Sequence, residues 1–440
     1  MTLKIQFSAS DRVQKALAEI GRTEDIKFSP DNRRLAIAGY TNNQILIASI
    51  LLEESATGKR VTLPDCLTIT SPSLQQPHGL FFIDDQTLIV ANRSGEAPIL
   101  RLPPMGTGNS FELSPFQTIR ADQIHYLKTP GSVTVSRIGL ELYEVLICNN
   151  YAHYITRHIV DAREGFRVRR NEVLLSKGLD IPDGIAVNKA WSWIAVSNHN
   201  PHNVFMYRNG PGLDRSSEPD GILRDAIYPH GVRFTADDNF ILVADAGAPY
   251  LHLYAKSGAD WTGERAPVAS IRVMDEKTYL RGRYSPQEGG PKGVDITSNM
   301  SMFATTCHNQ VLAFFDLEKI LQKHAHGRPV PFPDCSDWTH MGHVDLSGNR
   351  SMGVPDSNPA ELFRDARLSR EVLLRALQQL TNLDARMALQ KADLDAAYAR
   401  QIQLIYHTRS WRITAPLRRV WVLVQALKQK ILYLYATMVR

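Results

Sequence analysis

One sequence pattern recurs six times along the chain, roughly every 50 residues, and it limits the possible folds more than any other feature. Each copy contains a small turn, an alternating apolar stretch, a turn rich in Asp or Asn and two further apolar runs. One copy reads PHGVRFTADDNFILVADAGAPYLHLYAK at 229–256, and another reads PHGLFFIDDQTLIVANRSGEAPILRL at 77–102. Aligned at the first turn, the equivalent residues are Asp25, His78, Gly131, Asp183, His230 and Lys292.

Three β-strands can be assigned in each repeat, because runs of Val, Ile and Leu alternate with turn residues. A fourth, more polar strand fits the gap before the next copy, for example at 66–73, 116–124 and 269–274. Four antiparallel strands in each of six repeats predict an all-β six-bladed β-propeller, in which ring closure protects the strand edges. The last copy has no outer strand directly behind it, so we expect residues 3–8 to complete blade six and close the ring.

The repeated order of P-x-G, strand, Asp or Asn turn, and strand ending in Asp or Asn resembles a group of bacterial six-bladed propellers. This group includes the gluconolactonase-like and streptogramin-lyase-like proteins. The resemblance implies a propeller domain at 1–345. Because this scaffold carries both enzymes and binding modules, the resemblance leaves the activity open.

Composition and cysteine spacing favour a reducing compartment. The chain has 440 residues, 43% of them hydrophobic, which is enough for one large repeat domain and an appendage. The cysteines Cys66, Cys148, Cys307 and Cys335 are far apart, which favours neither a disulfide framework nor a zinc site. The first residues lack the basic start and apolar core of a signal peptide. We therefore expect the protein in the cytoplasm.

The composition changes after about residue 345, and the rest of the chain is predicted to be helical. Residues 346–359 are rich in Gly, Pro, Ser and Asn and form the predicted linker. Between 360 and 407, apolar residues recur every seven positions at Leu373, Leu380, Met387 and Leu394. This spacing predicts an α-helical coiled coil and self-association of the protein. Because Gln390 and Gln401 interrupt the seam, a helical hairpin packed on the propeller is the alternative.

The last segment, 408–440, is predicted to form a basic amphipathic helix. It has seven Lys or Arg residues and no acidic residue, whereas the net charge of the whole chain is +5. Its apolar side chains fall on one stripe, which suits the surface of an anionic membrane. Lys428 and Lys430 would lie in mid-bilayer, so the helix is not expected to span the membrane. We expect a peripheral protein on the inner face of the cytoplasmic membrane.

The predicted docking residues of this tail are Trp411, Arg412, Pro416, Leu417, Arg418, Arg419, Trp421, Val424, Lys428 and Lys430. They could contact lipid or a protein partner, or the helix could pack on the coiled coil of the same protein. Binding to nucleic acid is disfavoured, because it would give the apolar stripe no role.

Part of the tail resembles a known element. Residues 410–418, SWRITAPLR, resemble the S-W-R-x-T-x-P-L-R element near the C-termini of many bacterial glycosyltransferases and modifying enzymes of surface polysaccharide synthesis. The resemblance implies a place in lipopolysaccharide or capsule assembly, beside glycosyltransferases or other polysaccharide-assembly proteins. It does not imply glycosyl transfer, because the rest of the chain has no alternating β/α pattern.

Any chemistry is expected at the axis of the ring, where the inner strands of a propeller start. The candidate ligand-binding residues at the channel mouth are Asp25, His78, Asp183, His230 and Lys292. His78, Asp183 and His230 could bind a divalent cation such as Ca²⁺, Mg²⁺ or Zn²⁺, as in gluconolactonase-like enzymes. Lys292 would compete with a cation, and Gly131 offers no ligand. A polar channel without catalysis is the alternative.

Two further groups of residues lie close to these turns. Asn92, Asn149, Asn198, Asp245 and Cys307 end the second strands. Asn and Asp at such positions usually bond backbone amides, so a structural role is expected for them. Tyr151, Tyr154, Tyr250 and Trp193 could stack on a sugar ring, although aromatic residues in propellers more often belong to the core.

Two functions of different class are consistent with these features. The first is a binding or scaffold propeller of surface polysaccharide (O-antigen or capsule) biosynthesis, tethered to the membrane by its tail. The second is a metal-dependent hydrolase or lyase, lactonase-like, acting on a sugar-derived substrate in the channel. The chain has no G-x-x-x-x-G-K-[ST], H-E-x-x-H or G-x-S-x-G motif to favour another enzyme class.

Overall fold

The computed structural model describes residues 3–55, 58–258 and 260–324. Within these ranges the chain forms six β-sheets, the blades of a β-propeller. The predicted linker at 346–359, the coiled coil at 360–407 and the basic tail at 408–440 lie outside the described residues. No helix in the described ranges has the length and apolar character that crossing a bilayer requires.

The described chain begins with strand β1 (Lys4–Ala9) and helix α1 (Asp11–Glu19). The helix was not predicted. It is capped by the Ser10 hydroxyl, which accepts a hydrogen bond from the Val13 amide.

Blades one to three follow in chain order. From the axis outward, blade one contains β2 (Thr23–Phe28), β3 (Arg34–Gly39), β4 (Gln44–Ser49) and, after a hairpin of β5 (Leu51–Ser55) and β6 (Gly58–Leu63), β7 (Cys66–Thr70). Blade two contains β8 (Pro77–Asp84), β9 (Thr87–Asn92), β10 (Ala97–Arg101) and, after β11 (Ser110–Glu112), β12 (Gln117–Ile119). Blade three contains β13 (Pro130–Arg137), β14 (Leu142–Asn149), β15 (Tyr154–Asp161) and β16 (Arg167–Leu175). Strand β11 pairs in parallel with β7 on the outer edge of blade one.

Blades four to six complete the circle. Blade four contains β17 (Pro182–Val187), β18 (Trp193–Asn198), β19 (Asn203–Arg208) and β20 (Gly221–Leu223). Blade five contains β21 (Pro229–Phe234), β22 (Phe240–Asp245), β23 (Tyr250–Ala255) and, after β24 (Gly263–Arg265), which pairs with β20, β25 (Ala269–Arg272). Helix α2 (Glu276–Gly282) leads to blade six, with β26 (Gly293–Ile296), β27 (Phe303–Cys307) and β28 (Gln310–Phe315), and α3 (Leu317–His324) follows.

Strand β1 is the fourth strand of blade six. It pairs antiparallel with β28, so that Lys4 lies opposite Phe315 and Ile5 opposite Phe314. The prediction that residues 3–8 complete this blade is confirmed. On its other side β1 pairs in parallel with β6, so the hairpin inserted in blade one extends blade six to six strands.

Apolar cores lie between neighbouring blades, because alternate residues of each strand face opposite sides of its sheet. In β3, Ile37 packs in a cluster with Phe314 of blade six, whereas Ala36 packs in a cluster with Leu80 of blade two. The same arrangement recurs around the ring. Cys66, Cys148 and Cys307 are buried free thiols.

Candidate functional site

The pairing of the inner strands identifies the residues that are equivalent around the axis. Ile26 of β2 pairs with Ile37 of β3, and Leu80 of β8 pairs with Val90 of β9. In both cases the partner is the third residue from the end of its strand. The residues two positions earlier, Glu24 and His78, are therefore equivalent. The sequence alignment that placed Asp25 opposite His78 was wrong by one residue.

Asp25 occupies a position at which most other blades have glycine. At Gly184, an added Cβ would lie 1.9 Å from the His230 carbonyl oxygen of the next blade, so little space is available for a side chain. The Asp25 carboxylate fits because it accepts hydrogen bonds from the backbone amides of Ile26 and Leu80, both at 2.9 Å. Asp25 therefore joins blade one to blade two below the mouth of the channel.

A second buried pair lies at the depth of Asp25. Arg233 Nε is 2.9 Å from Asp295 Oδ1, and Asp295 Oδ2 accepts a hydrogen bond from the Phe28 amide at 2.8 Å. Burial raises the pKa of both Asp25 and Asp295 to about 6, although Arg233 opposes the shift. Lys27 Nζ lies 2.5 Å from Asp25 Oδ1. These contacts link blades one, five and six around the axis.

At the channel mouth, Glu24, His78 and His230 form a compact group of possible metal ligands. One ligand atom from each residue lies within 4.8 Å of the others. Glu24 Oε2 is 3.5 Å from His78 Nε2 and 3.6 Å from His230 Nε2. The two imidazole rings stack, with centroids 5.3 Å apart. Glu24 was not identified from the sequence. Aligning the apolar residue Ile26 with Leu80 would have placed Glu24 opposite His78.

Asp183 lies beside this group. Its Oδ2 is 3.1 Å from His230 Nε2, and its Oδ1 is 3.9 Å from His78 Nε2. Asn150 of blade three, which the sequence did not indicate, donates to Asp183 Oδ1 at 2.7 Å. The structure thus brings His78, Asp183 and His230 together at the channel mouth.

Three basic residues surround the acidic groups. Lys292 Nζ lies 3.1 Å from Glu24 Oε2 and 3.0 Å from Glu288 Oε2. Arg22 also forms ion pairs with Glu24 and Glu288. Arg93 Nη2 donates to His78 Nε2 at 2.5 Å. Arg93 and Glu288 lie outside the repeated position, which is why the alignment of repeats did not reveal them.

The protonation states follow from burial and from these neighbours. Burial opposes the ionisation of Glu24, but Lys292, His78, Arg22 and His230 together outweigh it and lower the pKa of Glu24 below its ordinary value. Burial likewise opposes the ionisation of Asp183, and the surrounding His230, His78 and Arg93 still hold its pKa well below the ordinary value. Burial, together with Arg93, lowers the pKa of His78 far below 6.5, and burial lowers that of His230. The site therefore contains ionised carboxylates and neutral imidazoles at pH 7.

A small cavity lies on the axis at this level. It contains about 230 Å³ of space between atoms, including its open end. The charged and imidazole residues that line it are Glu24, Asp25, His78, Asp183, His230 and Arg233. Its interior is narrow enough to admit about one water molecule or ion. A sugar ring does not fit without movement of these side chains.

Two neutral imidazoles and a carboxylate suit a divalent cation in chemical terms. The hydrogen bonds and ion pairs that these groups already form do not suit a cation. His78 Nδ1 donates to the Gly131 carbonyl at 3.2 Å, so the lone pair of the ring is on Nε2, where it already accepts from Arg93. Lys292 faces Glu24, and Asp183 faces His230. An ion would have to displace Arg93 from His78 and bind beside Lys292.

The second group of polar residues has the structural role expected from the sequence. Asn92, Asn149 and Asn198 each accept a hydrogen bond from a backbone amide of the segment before their own blade: Gln75 at 3.1 Å, Lys128 at 2.7 Å and Asp180 at 2.6 Å. Asp245 accepts from Ile227 and Tyr228 in the same way.

The four aromatic residues considered as possible sugar-stacking residues differ in solvent exposure. Trp193 is 5% exposed and belongs to a core cluster between blades four and five. Tyr154 donates from its hydroxyl to the Tyr126 carbonyl at 2.7 Å, and Tyr250 is half-buried. Tyr151 is 64% exposed.

Comparisons with known proteins found similarity to solved structures alone. No family model matches the sequence, and no curated protein matches it. Among solved structures, a protein of unknown function from Desulfotomaculum acetoxidans has a TM-score of 0.43 and 11% identity, over 67% of this chain and 83% of that one. A proposed 6-phosphogluconolactonase from Bacteroides fragilis has a TM-score of 0.42 and 10% identity, over 67% of this chain and 79% of that one. A chain of a mitotic checkpoint complex has a TM-score of 0.41 and 11% identity, over 68% and 75%.

Proposed function

We propose that the protein is a non-catalytic propeller that binds a partner or glycan. In this proposal, residues 408–440 hold it at a polysaccharide-assembly complex on the inner face of the cytoplasmic membrane. The pathway and the location rest on the S-W-R-x-T-x-P-L-R resemblance at 410–418 and on the basic amphipathic pattern around it.

One observation supports the absence of catalysis: the charged groups at the channel mouth compensate one another. Three carboxylates, Glu24, Asp183 and Glu288, face three cations, Arg22, Arg93 and Lys292. A general acid or base needs a pKa near the working pH and access to the substrate. The carboxylates of Glu24 and Asp183 and the imidazole of His78 have pKa values shifted away from neutrality, and the cavity admits about one water molecule.

A second candidate function is the metal-dependent hydrolase or lyase. It is favoured by Glu24 Oε2, which is buried without a hydrogen bond of good geometry and lies between two imidazoles. Lys292 Nζ lies 3.1 Å from this oxygen but forms no hydrogen bond to it of good geometry among the described residues, and a metal ion between the imidazoles would complete its coordination.

Elemental analysis of the purified full chain separates the two candidates. We expect no stoichiometric metal after dialysis against buffer containing Zn²⁺, Ca²⁺ or Mg²⁺. Metal at one equivalent that is lost in His78→Ala would favour the enzyme and contradict the proposal.

The location is tested by cell fractionation. Truncation before Ser410 is expected to move the protein from the membrane fraction to the soluble fraction. Trp421→Glu with Val424→Glu is expected to do the same, because both changes break the apolar stripe. Loss of the gene is expected to reduce or shorten the surface polysaccharide. An unchanged polysaccharide would refute the pathway assignment.

A further inference from the structure

Two arginine–tyrosine pairs lie on the face of the propeller that carries the channel mouth. The Arg22 guanidinium lies 5.0 Å from the Tyr40 ring centroid, and its Nη1 donates to the Tyr284 hydroxyl at 3.0 Å. The Arg93 guanidinium lies 5.4 Å from the Tyr151 ring centroid. Both pairs come from turns beside the starts of inner strands.

The two arginines differ in how their charge is compensated. Arg22 forms ion pairs with Glu24 and Glu288. Arg93 has one ion pair among the described residues, with Asp183 Oδ1 at 3.6 Å, which is longer than a hydrogen bond. Asp183 already faces His230 at 3.1 Å. The positive charge of Arg93 is therefore the less compensated of the two.

The hydrogen bonds of Arg93 are also incomplete. Its Nη1 is buried and has no hydrogen-bond partner in the described part of the chain. Its Nη2 donates to the neutral ring of His78 and not to a carboxylate. A guanidinium offers five donors in a planar fork that matches a carboxylate, so an incoming acid group would satisfy Arg93 better than the protein does.

Tyr151 covers this arginine at the surface. It lies in the short 3-10 turn Asn150–Ala152, and its amide donates to Thr129 Oγ1 at 3.1 Å, which holds the backbone in place. The ring itself is 64% exposed and the Arg93 side chain beside it is 12% exposed, so the ring and part of the guanidinium group's side chain are open to a ligand. An exposed aromatic face beside a cation suits a pyranose ring that carries an acidic group.

We infer that this face binds an acidic sugar, a hexuronate of a glycan chain, whose carboxylate pairs with Arg93 and whose ring stacks on Tyr151. The inference rests on the proposed role as a glycan-binding propeller and names the class of its ligand. It places the ligand on the outer face of the propeller, at Arg93 on the edge of the charged group at the channel mouth. The narrow cavity beneath is not part of this site.

Titration calorimetry with a galacturonate tetramer and a neutral galactose tetramer tests the inference on the full chain. The wild type is expected to bind the acidic tetramer at least about tenfold more tightly, because only this ligand pairs with Arg93. Tyr151→Ala is expected to weaken that binding by about tenfold through loss of stacking. Arg93→Lys is expected to weaken it as well, since an ammonium group cannot form the planar pair.

Tyr284→Ala is the matched control. Tyr284 is as exposed as Tyr151, 65% against 64%, and lies on the same face, but its arginine is already paired with two carboxylates. The Tyr284→Ala variant is expected to bind the acidic tetramer with the affinity of the wild type. Thermal melting of each variant shows whether it is folded.

Three results would overturn the inference: no binding of the acidic tetramer to the folded wild type, equal affinity for the two tetramers, or unchanged affinity in folded Tyr151→Ala. None of them bears on the proposed pathway role, which depends on fractionation of the tail truncation and on the polysaccharide of the gene deletion. Failure of the acidic-sugar inference is therefore distinguishable from failure of the proposed pathway role.

Discussion

Asn150 donates a hydrogen bond to Asp183 across the space that a side chain at position 131 would fill. Its Nδ2 is 2.7 Å from Asp183 Oδ1, and an added Cβ at Gly131 would lie 1.9 Å from Asn150 Oδ1. Gly131 offers no ligand of its own, as expected from the sequence. Its lack of a side chain allows a neighbouring residue to enter the ring of polar groups.

Gly131→Ala is therefore expected to displace Asn150 and to leave one acceptor of Asp183 without its partner. We expect a loss of about 1–3 kcal/mol in the free energy of unfolding, measured by urea denaturation. Gly139→Ala is the control, because its Cβ would meet Leu142 at an ordinary 3.4 Å. Equal stability of the two variants would mean that the Asn150–Asp183 contact contributes little.

Lys292→Met is expected to destabilise the propeller by about 3–5 kcal/mol, because it leaves the buried Glu24 and the partly buried Glu288 with one cation fewer. The double variant Glu24→Gln with Lys292→Met is expected to recover part of the loss, since the unpaired charge is removed with its partner. Urea denaturation of the single and double variants measures this coupling. If the double variant is less stable than Lys292→Met, the two residues do not compensate each other.

Strand β1 is expected to contribute much of the stability of blade six. Ile5 is buried in the core cluster that joins blades six and one. Ile5→Ala is expected to cost about 2–4 kcal/mol, whereas Gln6→Ala, at an exposed position of the same strand, is expected to cost less than about 0.5 kcal/mol. Deletion of residues 1–9 is expected to lower the melting temperature further. A deletion variant that melts like the wild type would contradict the role of this strand in closing the ring.

Stability is expected to fall as the pH is lowered from 7 to 5, and His158 is one cause. Burial, with His125 nearby, lowers the pKa of His158 to about 3, and neither ring nitrogen has a hydrogen-bond partner among the described residues. Below pH 6.5 the unfolded chain binds a proton at this residue and the folded chain does not, so acid favours unfolding. The contribution of this one residue at pH 5 is about 2 kcal/mol.

His158→Leu is expected to reduce the pH dependence by that amount, measured as the difference between the free energies of unfolding at pH 7 and pH 5. Asp25 and Asp295 act in the opposite direction, because their pKa values are raised to about 6 and the folded state binds their protons first. They are unchanged in the variant, so they do not obscure the comparison. An identical pH dependence in the wild type and in His158→Leu would show that the imidazole does not titrate on unfolding.

The sequence predicted the architecture well because the fold is repetitive. Six copies of one pattern indicate six sheets, and the missing outer strand of the last copy led to residues 3–8. Insertions were not predicted, since the hairpin of β5 and β6 and the helix α1 occur once and belong to no period. The repeated strands can be recognised because their pattern recurs in the sequence, whereas each inserted element occurs once and has no second copy to compare.

The candidate site was predicted in part. His78, Asp183, His230 and Lys292 occupy the repeated position and do meet at the axis. The first copy lacks the proline that begins the other five, so the register of Glu24 and Asp25 depended on the apolar residue after them. Arg93 and Asn150 enter from turns of the second strand, and a side chain that reaches the axis from outside the repeat leaves no periodic signal.

Blade six joins the first and the last described strands of the ring, and this affects how the chain can fold as it is synthesised. Strand β1 emerges from the ribosome before the other described strands, but its antiparallel partner β28 emerges after all of them. An unpaired strand edge that waits for so long is open to pairing with other chains. Strand β6 follows β1 early and pairs with it in parallel. The inserted hairpin can therefore cover one edge of β1 early, and this pairing remains when β28 covers the other edge and closes the ring.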